Sequence, residues 1–98
     1  MFVHHVFFWM SPDATDSDLA QLKQGLHSLT TIDAIKQWHI GGPANTDRPV
    51  IERSYVFSWL VMFDTPEQEA IYQTHPTHLK FIETCGHLWT KVIVYDAV

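Results

Sequence analysis

The chain has 98 residues, 46% hydrophobic and 17% charged, which is enough for one domain with a single core over residues 1–98 and too few for two domains. Its 11 acidic residues against 6 lysines and arginines give a net charge of −5, which repels phosphates and anionic lipids, so neither nucleic acid nor a membrane is expected as a partner. The single cysteine, Cys85, excludes an internal disulfide, and with no secretory leader in view a cytoplasmic location is expected.

The first half of the chain predicts a strand, a helix and a second strand. Phe2 to Met10 is rich in aromatic and β-branched residues and ends in a Ser-Pro-Asp turn, which is typical of a strand. Thr15 and Asp18 resemble a capping box, and leucines then recur at helical spacing, so a helix is expected from about Asp16 to Leu29. Ala34 to Ile40 is expected to form a short strand that ends at a Gly-Gly-Pro turn.

The second half predicts two more strands on either side of an interrupted helix. Arg53 to Phe63 is the densest β-prone run in the chain. Thr65 is a natural N-cap for a helix over Pro66 to Thr74, which continues from Pro76 to Cys85 before a last strand from Leu88 to Asp96. The order β-α-β-β-α-β predicts a ferredoxin-like α+β fold, with an antiparallel four-stranded sheet and helices on one face.

Both faces of the predicted sheet are apolar. In the first strand Phe7 and Trp9 alternate with Val6 and Phe8, and the strand that ends at Phe63 repeats the pattern. The helices can cover only one face, so the other would expose a large aromatic patch unless a second subunit covers it. We therefore expect a homodimer that forms a dimeric α/β barrel. The alternative is an amphipathic sheet with a few stray apolar residues.

The segment Tyr72-Gln73-Thr74-His75-Pro76-Thr77-His78 is the best candidate for a site. Proline disfavours helical backbone before it and favours a helix start, so one helix should end near His75 and the next should begin at Pro76. Tyr72 and His78 would then face the same concave surface. His78 suits a general base, because its ordinary pKa is near 6.5, and Tyr72 can donate to a developing enolate oxygen. The alternative is structural, with both side chains linking the helix break to the sheet.

These features together resemble the stress-responsive α/β-barrel domain family, Dabb. They are His5 in an apolar first strand, a strand ending in Phe63 before a capped helix, and the motif Tyr72-x-x-His75-Pro76-x-His78. The resemblance spans nearly the whole chain. It implies two ferredoxin-like subunits whose sheets close into a shared barrel, with a cavity in each subunit between its sheet and its helices.

The resemblance also implies site residues. Some relatives are plant stress proteins of unclear activity, and a few are polyketide cyclases that perform an intramolecular aldol condensation. In the cyclases the positions matching Tyr72 and His78 are the catalytic pair, and those matching His5 and Trp89 line the same pocket. Cyclase relatives carry a histidine on the middle strand, where this sequence has Phe57. The candidate ligand-binding residues are therefore His5, Phe57, Trp59, His75 and Trp89.

Two main functional hypotheses follow. The first is a homodimer that binds a small apolar or aromatic molecule in its cavity, and the second is a cofactor-free cyclase or lyase that uses His78 and Tyr72. A third comes from cofactor-independent monooxygenases and lactone isomerases with similar barrels, and the helical His-Pro motif argues against it. No cofactor is expected under any of these hypotheses.

No metal site is expected either. The chain has seven histidines but lacks an HExxH or CxxC motif and shows no clustered third ligand. His4 and His5 point to opposite faces of one strand, so only one of them can enter a given pocket. The resemblance selects His5. Cys85 has no activating neighbours in the sequence and is expected to be a buried, inert thiol.

Overall fold

Four strands and three helices follow one another in the predicted order. The computed structural model describes residues 1–98, and its strands form one antiparallel sheet in the order β2-β3-β1-β4. The elements are β1 (Phe2–Met10), α1 (Asp16–Leu29), β2 (Gln37–Gly41), β3 (Phe57–Phe63), α2 (Pro66–Thr74), α3 (Pro76–Cys85) and β4 (Trp89–Ala97). The predicted ferredoxin-like α+β fold is confirmed.

Two strands, β2 and β3, begin several residues later than the sequence predicts, and β4 begins one residue later. β2 starts at Gln37 rather than Ala34, because backbone turns at Ile32 and Ile35 carry the chain away from α1 before pairing begins. β3 starts at Phe57 rather than Arg53. The pairing of β3 with β1 ends at Phe57, opposite Phe8, and its pairing with β2 ends at Ser58, so the residues before Phe57 lie outside both ladders.

The helix boundaries follow the predicted capping residues. Thr15 and Asp18 form a reciprocal capping box at the start of α1, with hydrogen bonds of 3.0 and 3.1 Å. His75 is at once the C-cap of α2 and the N-cap of α3, where its Nδ1 accepts a hydrogen bond of 3.1 Å from the Thr77 backbone. Its extended backbone, with ψ of 138°, is the conformation that a following proline favours. Pro76 therefore breaks the helix where the sequence predicts.

The core lies between the helices and one face of the sheet. That face carries alternate residues of β1 and β3, which include Val6, Phe8, Trp59 and Val61. The helices contribute Leu22, Leu26 and Leu29 from α1, Tyr72 from α2, and Phe81 and Cys85 from α3. All of these side chains are buried, Cys85 included. This helix-covered face forms one side of the candidate site.

The opposite face of the sheet, which we call the open face, carries no helix. It carries the other set of alternate residues, which include the apolar side chains of Val3, Phe7, Trp9, Leu60, Met62, Ile93 and Tyr95 and the polar ones of His5, Ser58 and Lys91. None of the three helices is long and apolar enough to cross a membrane.

Candidate functional site

A cavity of about 200 Å³ lies between the helix-covered face of the sheet and the helices α2 and α3. Most of its walls are apolar, with Val6, Phe8, Trp59, Phe81 and Trp89 among them. Its apolar rim is partly open to solvent, because Ile82, Val92 and Val94 are each 42–45% exposed. The polar side chains in the cavity are His4, Tyr72, Gln73 and His78.

Tyr72 lies in the last turn of α2 and is 1% exposed. Its hydroxyl oxygen accepts a hydrogen bond of 3.0 Å from the indole Nε1 of Trp59 on β3. Burial raises the pKa of Tyr72 to about 12, although the Trp59 hydrogen bond acts in the opposite direction. The phenol is therefore protonated at neutral pH and can act as a hydrogen-bond donor.

His78 lies in the first turn of α3, with its ring centroid 4.6 Å from that of Tyr72. Its Nδ1 is 3.1 Å from the backbone oxygen of Gln73. A carbonyl oxygen only accepts, so Nδ1 carries a proton and donates it, and Nε2 is unprotonated in the neutral ring. Burial lowers the pKa of His78. At neutral pH this side chain therefore offers a free lone pair.

His4, and not His5, is the histidine of β1 that enters the cavity. Its ring centroid lies 5.9 Å from that of Tyr72, and its Nδ1 lies 2.5 Å from Oδ1 of Asp96 on β4. His5 points to the open face, where its Nε2 is 2.7 Å from the Ser58 hydroxyl. The expectation that His5 lines the same pocket as Tyr72 is therefore wrong. The alternation along β1 places His4 on the helix-covered face with Val6.

The other sequence-predicted residues divide into two groups. Trp59 and Trp89 line the cavity together with Tyr72 and His78. Phe57 shares the helix-covered face but packs at the edge of the core and does not line the cavity, and His75 caps α3 instead of facing it. The geometry thus leaves Phe57 and His75 out of the cavity lining, and any role of the sequence-predicted residues in binding or catalysis stays a prediction.

Sequence reasoning missed His4 and its partner Asp96. The signal that could have found them is their pairing: His4 and Asp96 lie directly opposite each other on the neighbouring antiparallel strands β1 and β4. Opposite residues on one face interact, and a histidine with a carboxylate partner is a candidate for a defined tautomer. No group of three or more histidine, cysteine, aspartate or glutamate side chains is arranged to hold a metal ion.

The chain matches the model of the Stress responsive A/B Barrel Domain family, Dabb, over residues 2–98. The protein belongs to the Dabb family. None of the curated proteins matches it in sequence. The predicted family resemblance is confirmed.

Solved structures share the fold of this Dabb domain at low sequence identity. A protein from Arabidopsis thaliana is 20% identical with a TM-score of 0.81, over 100% of this chain and 94% of its own. A dimeric ferredoxin-like protein of unknown function from Thermobifida fusca is 18% identical, with a TM-score of 0.80 over 99% and 89%. A hydroxynitrile lyase from Passiflora edulis is 20% identical, with a TM-score of 0.77 over 98% and 90%. At these identities the likeness shows the fold alone.

A larger hollow, of about 250 Å³, lies on the open face of this Dabb domain. Its walls include the aromatic side chains of Phe7, Trp9, Tyr55 and Tyr95, and the Lys91 Nζ lies 4.5 Å from the centre of the Trp9 ring. The sheet separates this hollow from Tyr72 and His78. Any subunit packed on the open face would cover it, so the cavity on the helix-covered face is the stronger candidate for a small-molecule site.

Proposed function

We propose that this Dabb domain is a homodimer that binds a small apolar or aromatic molecule in the cavity between its sheet and its helices. The observation that carries the proposal is the cavity of about 200 Å³ with largely apolar walls and its polar side chains, Tyr72, His78 and His4 among them. An apolar cavity of about 150 Å³ is enough to admit benzene. A benzene ring with one or two short substituents therefore matches this space.

The homodimer is supported by the open face. Monomers rarely leave a contiguous apolar patch of more than a few hundred Å² in water, and here Phe7 and Ile93 lie opposite each other, with Leu60 diagonal to Phe7 on β3 and no helix above them. Structural neighbours from Thermobifida fusca and Bacteroides fragilis are dimeric ferredoxin-like proteins. A two-fold related copy would cover the same patch on both subunits.

Light scattering of two matched variants tests the dimer. Phe7→Asp places a charge on the open face and is expected to convert the dimer to a monomer. Ile71→Asp places the same charge on α2, where Ile71 is 51% exposed, and is expected to leave the dimer intact. A monomeric wild-type protein would refute the homodimer.

Native mass spectrometry of the protein purified from its own host tests the ligand. Ile82 lines the rim of the cavity, so Ile82→Trp should fill the entrance and abolish the extra mass of a retained molecule. Leu79→Trp, on the same helix but outside the cavity lining, is the matched control and should keep that mass. The binding proposal fails if the wild-type protein retains nothing and calorimetry detects no binding of benzene-sized aromatic compounds.

A second candidate function is cofactor-free acid–base catalysis by a cyclase or lyase. The observation that favours it is the unprotonated Nε2 of His78 close to the protonated phenol of Tyr72. His78 could take a proton from a hydroxyl group, or from a carbon next to a carbonyl, while Tyr72 donates a hydrogen bond to the oxygen that becomes negative. One structural neighbour is a hydroxynitrile lyase.

Cleavage of mandelonitrile tests this second candidate. His78 would take the hydroxyl proton, the bond to the nitrile carbon would break as the carbonyl forms, and the departing cyanide would recover the proton as hydrogen cyanide. His78→Gln is expected to lower the rate of benzaldehyde formation by about 100-fold or more. His27→Gln, at an exposed position on α1, is the control. An absence of turnover, or an equal loss in both variants, would count against the assignment.

A further inference from the structure

We propose that the cavity selects neutral molecules that carry both a hydroxyl group and a carbonyl oxygen on one apolar body. This inference rests on the proposed binding function and names the chemical class of its ligand. Its basis is whether Tyr72, His78 and His4 can donate or accept a hydrogen bond, which in each case is set by a hydrogen bond to another group of the protein.

Tyr72 can offer the cavity only a donor in this arrangement. An indole nitrogen has no acceptor capacity, so the contact of 3.0 Å is donated by Trp59 to the phenol oxygen. The phenol proton must point elsewhere, and it makes no hydrogen bond within the protein. A ligand that pairs with it needs an accepting oxygen.

His78 offers the cavity an acceptor, where Tyr72 offers a donor. Its Nδ1 proton is used by the backbone oxygen of Gln73, which leaves the lone pair of Nε2 as the free hydrogen-bonding group. A ligand that pairs with this nitrogen needs a donor, which for a neutral molecule is most simply a hydroxyl.

His4, on the sheet side of the cavity, also offers a hydrogen-bond acceptor. Its Nδ1 donates to the carboxylate of Asp96, so in the neutral ring its Nε2 is an acceptor as well. His4 is 6% exposed, yet no buried polar side-chain atom in the protein lacks a hydrogen-bond partner. Its unpaired Nε2 therefore opens onto accessible space, and His4 lines the cavity.

Tyr72, His78 and His4 thus present one donor and two acceptors within largely apolar walls. A buried polar group without a partner is costly, so a molecule that lacks either the hydroxyl or the carbonyl leaves part of the set unpaired when it displaces water. While both imidazoles are neutral a carboxylate is disfavoured, because it would place negative charge against two lone pairs. Sites built to pair with a hydroxyl discriminate strongly against analogues without one.

Calorimetric titration with matched aromatic probes tests the proposal. The probes are the three isomers of hydroxyacetophenone, with acetophenone lacking the hydroxyl and the corresponding ethylphenols lacking the carbonyl. At least one hydroxyacetophenone is expected to bind about tenfold more tightly than both of its controls, which is the factor for about 1.4 kcal/mol. Equal affinities for all three classes would overturn the polarity argument and leave the binding function standing. Failure of every probe to bind would overturn both.

Two variants test which side chain recognises the carbonyl oxygen of the ligand and which recognises its hydroxyl group. Tyr72→Phe should remove the preference for the hydroxyacetophenone over the ethylphenol and keep the preference over acetophenone. His78→Phe, at a half-buried position, should weaken the preference over acetophenone and keep the other. If Tyr72→Phe does not fold, the His78→Phe result still decides the proposal. Equal weakening of all probes by either folded variant would show that the side chains only shape the cavity, and would refute it.

Discussion

The indole nitrogen of Trp59 donates a hydrogen bond of 3.0 Å to the hydroxyl oxygen of Tyr72, and both side chains are only 1% exposed. This bond joins the middle of β3 to the last turn of α2, next to the helix break at Pro76. It is the kind of link between the helix break and the sheet that the structural alternative for Tyr72 predicts. Because it uses a lone pair of the phenol and not its proton, it also leaves Tyr72 able to donate to a ligand.

Tyr72→Phe should lower the free energy of unfolding by about 1–3 kcal/mol, because the buried Trp59 N–H loses its acceptor. The substitution keeps the ring and therefore isolates the hydroxyl. Thr31→Val, which removes a hydroxyl at an exposed position after α1, is the control and should change stability by less than about 0.5 kcal/mol. Urea denaturation measures both. Equal effects of the two substitutions would mean that the buried bond contributes nothing specific.

Tyr72 should be the last of the three tyrosines to ionise. Burial raises its pKa from 10.0 to about 12, so spectrophotometric titration of the folded protein should show a late phase that Tyr72→Phe removes. Between these two values the folded state holds more protons than the unfolded state, so the free energy of unfolding falls as pH rises through this range. A titration in which all phenols ionise together while the protein is folded would contradict the predicted burial.

Stability should also decline on the acid side of neutrality. Burial lowers the pKa of His78, and burial together with the nearby His39 and His4 lowers that of His5. Below about pH 6.5 the unfolded chain takes up protons that the folded protein resists, so the free energy of unfolding falls with pH through the lowered folded-state values.

Denaturation curves at pH 7.5 and pH 5 measure this effect. His78→Gln should reduce the difference in stability between the two pH values, while His27→Gln, at an exposed site on α1, should leave the difference unchanged. A wild-type protein equally stable at both pH values would contradict the predicted contribution of the buried imidazoles.

Local sequence rules were sufficient to predict where the helices begin and end. The Thr15 capping box and the break before Pro76 depend on residues within a few positions of each other, so both could be predicted from the chain alone. The start of β3 could not, because it is set by where its pairing with β1 and β2 ends, and those strands are far away in sequence.

The sequence pattern could not predict which of His4 and His5 enters the cavity. Both sets of alternate residues in β1 are apolar, so alternation alone cannot say which set the helices cover. The answer depends on tertiary packing, in which Val6 and Phe8 join the core of α1 and α3 and carry His4 to the same face. The Trp59–Tyr72 bond is likewise a product of packing between β3 and α2.

Gly25 should resist replacement, because α1 and α3 approach each other closely at this position. A Cβ added to Gly25 would lie 2.5 Å from the Sγ of Cys85 and 3.1 Å from the ring of Phe81. Alanine gains about 1 kcal/mol in helix propensity over glycine, but overpacking of a core costs about 1–3 kcal/mol. Gly25→Ala is therefore expected to lower the free energy of unfolding despite the better helix former.

The role of the thiol can be isolated with a double-mutant cycle. Cys85→Ala removes the Sγ that the new methyl group would meet, so Gly25→Ala should be less damaging in the Cys85→Ala background than alone, with a coupling of at least about 0.5 kcal/mol. Ser28→Ala, at an exposed position on the same helix, is the control for helix propensity. Strict additivity would show that the thiol does not set the helix spacing, because the methyl group would then be accommodated in the same way whether or not the sulfur is present.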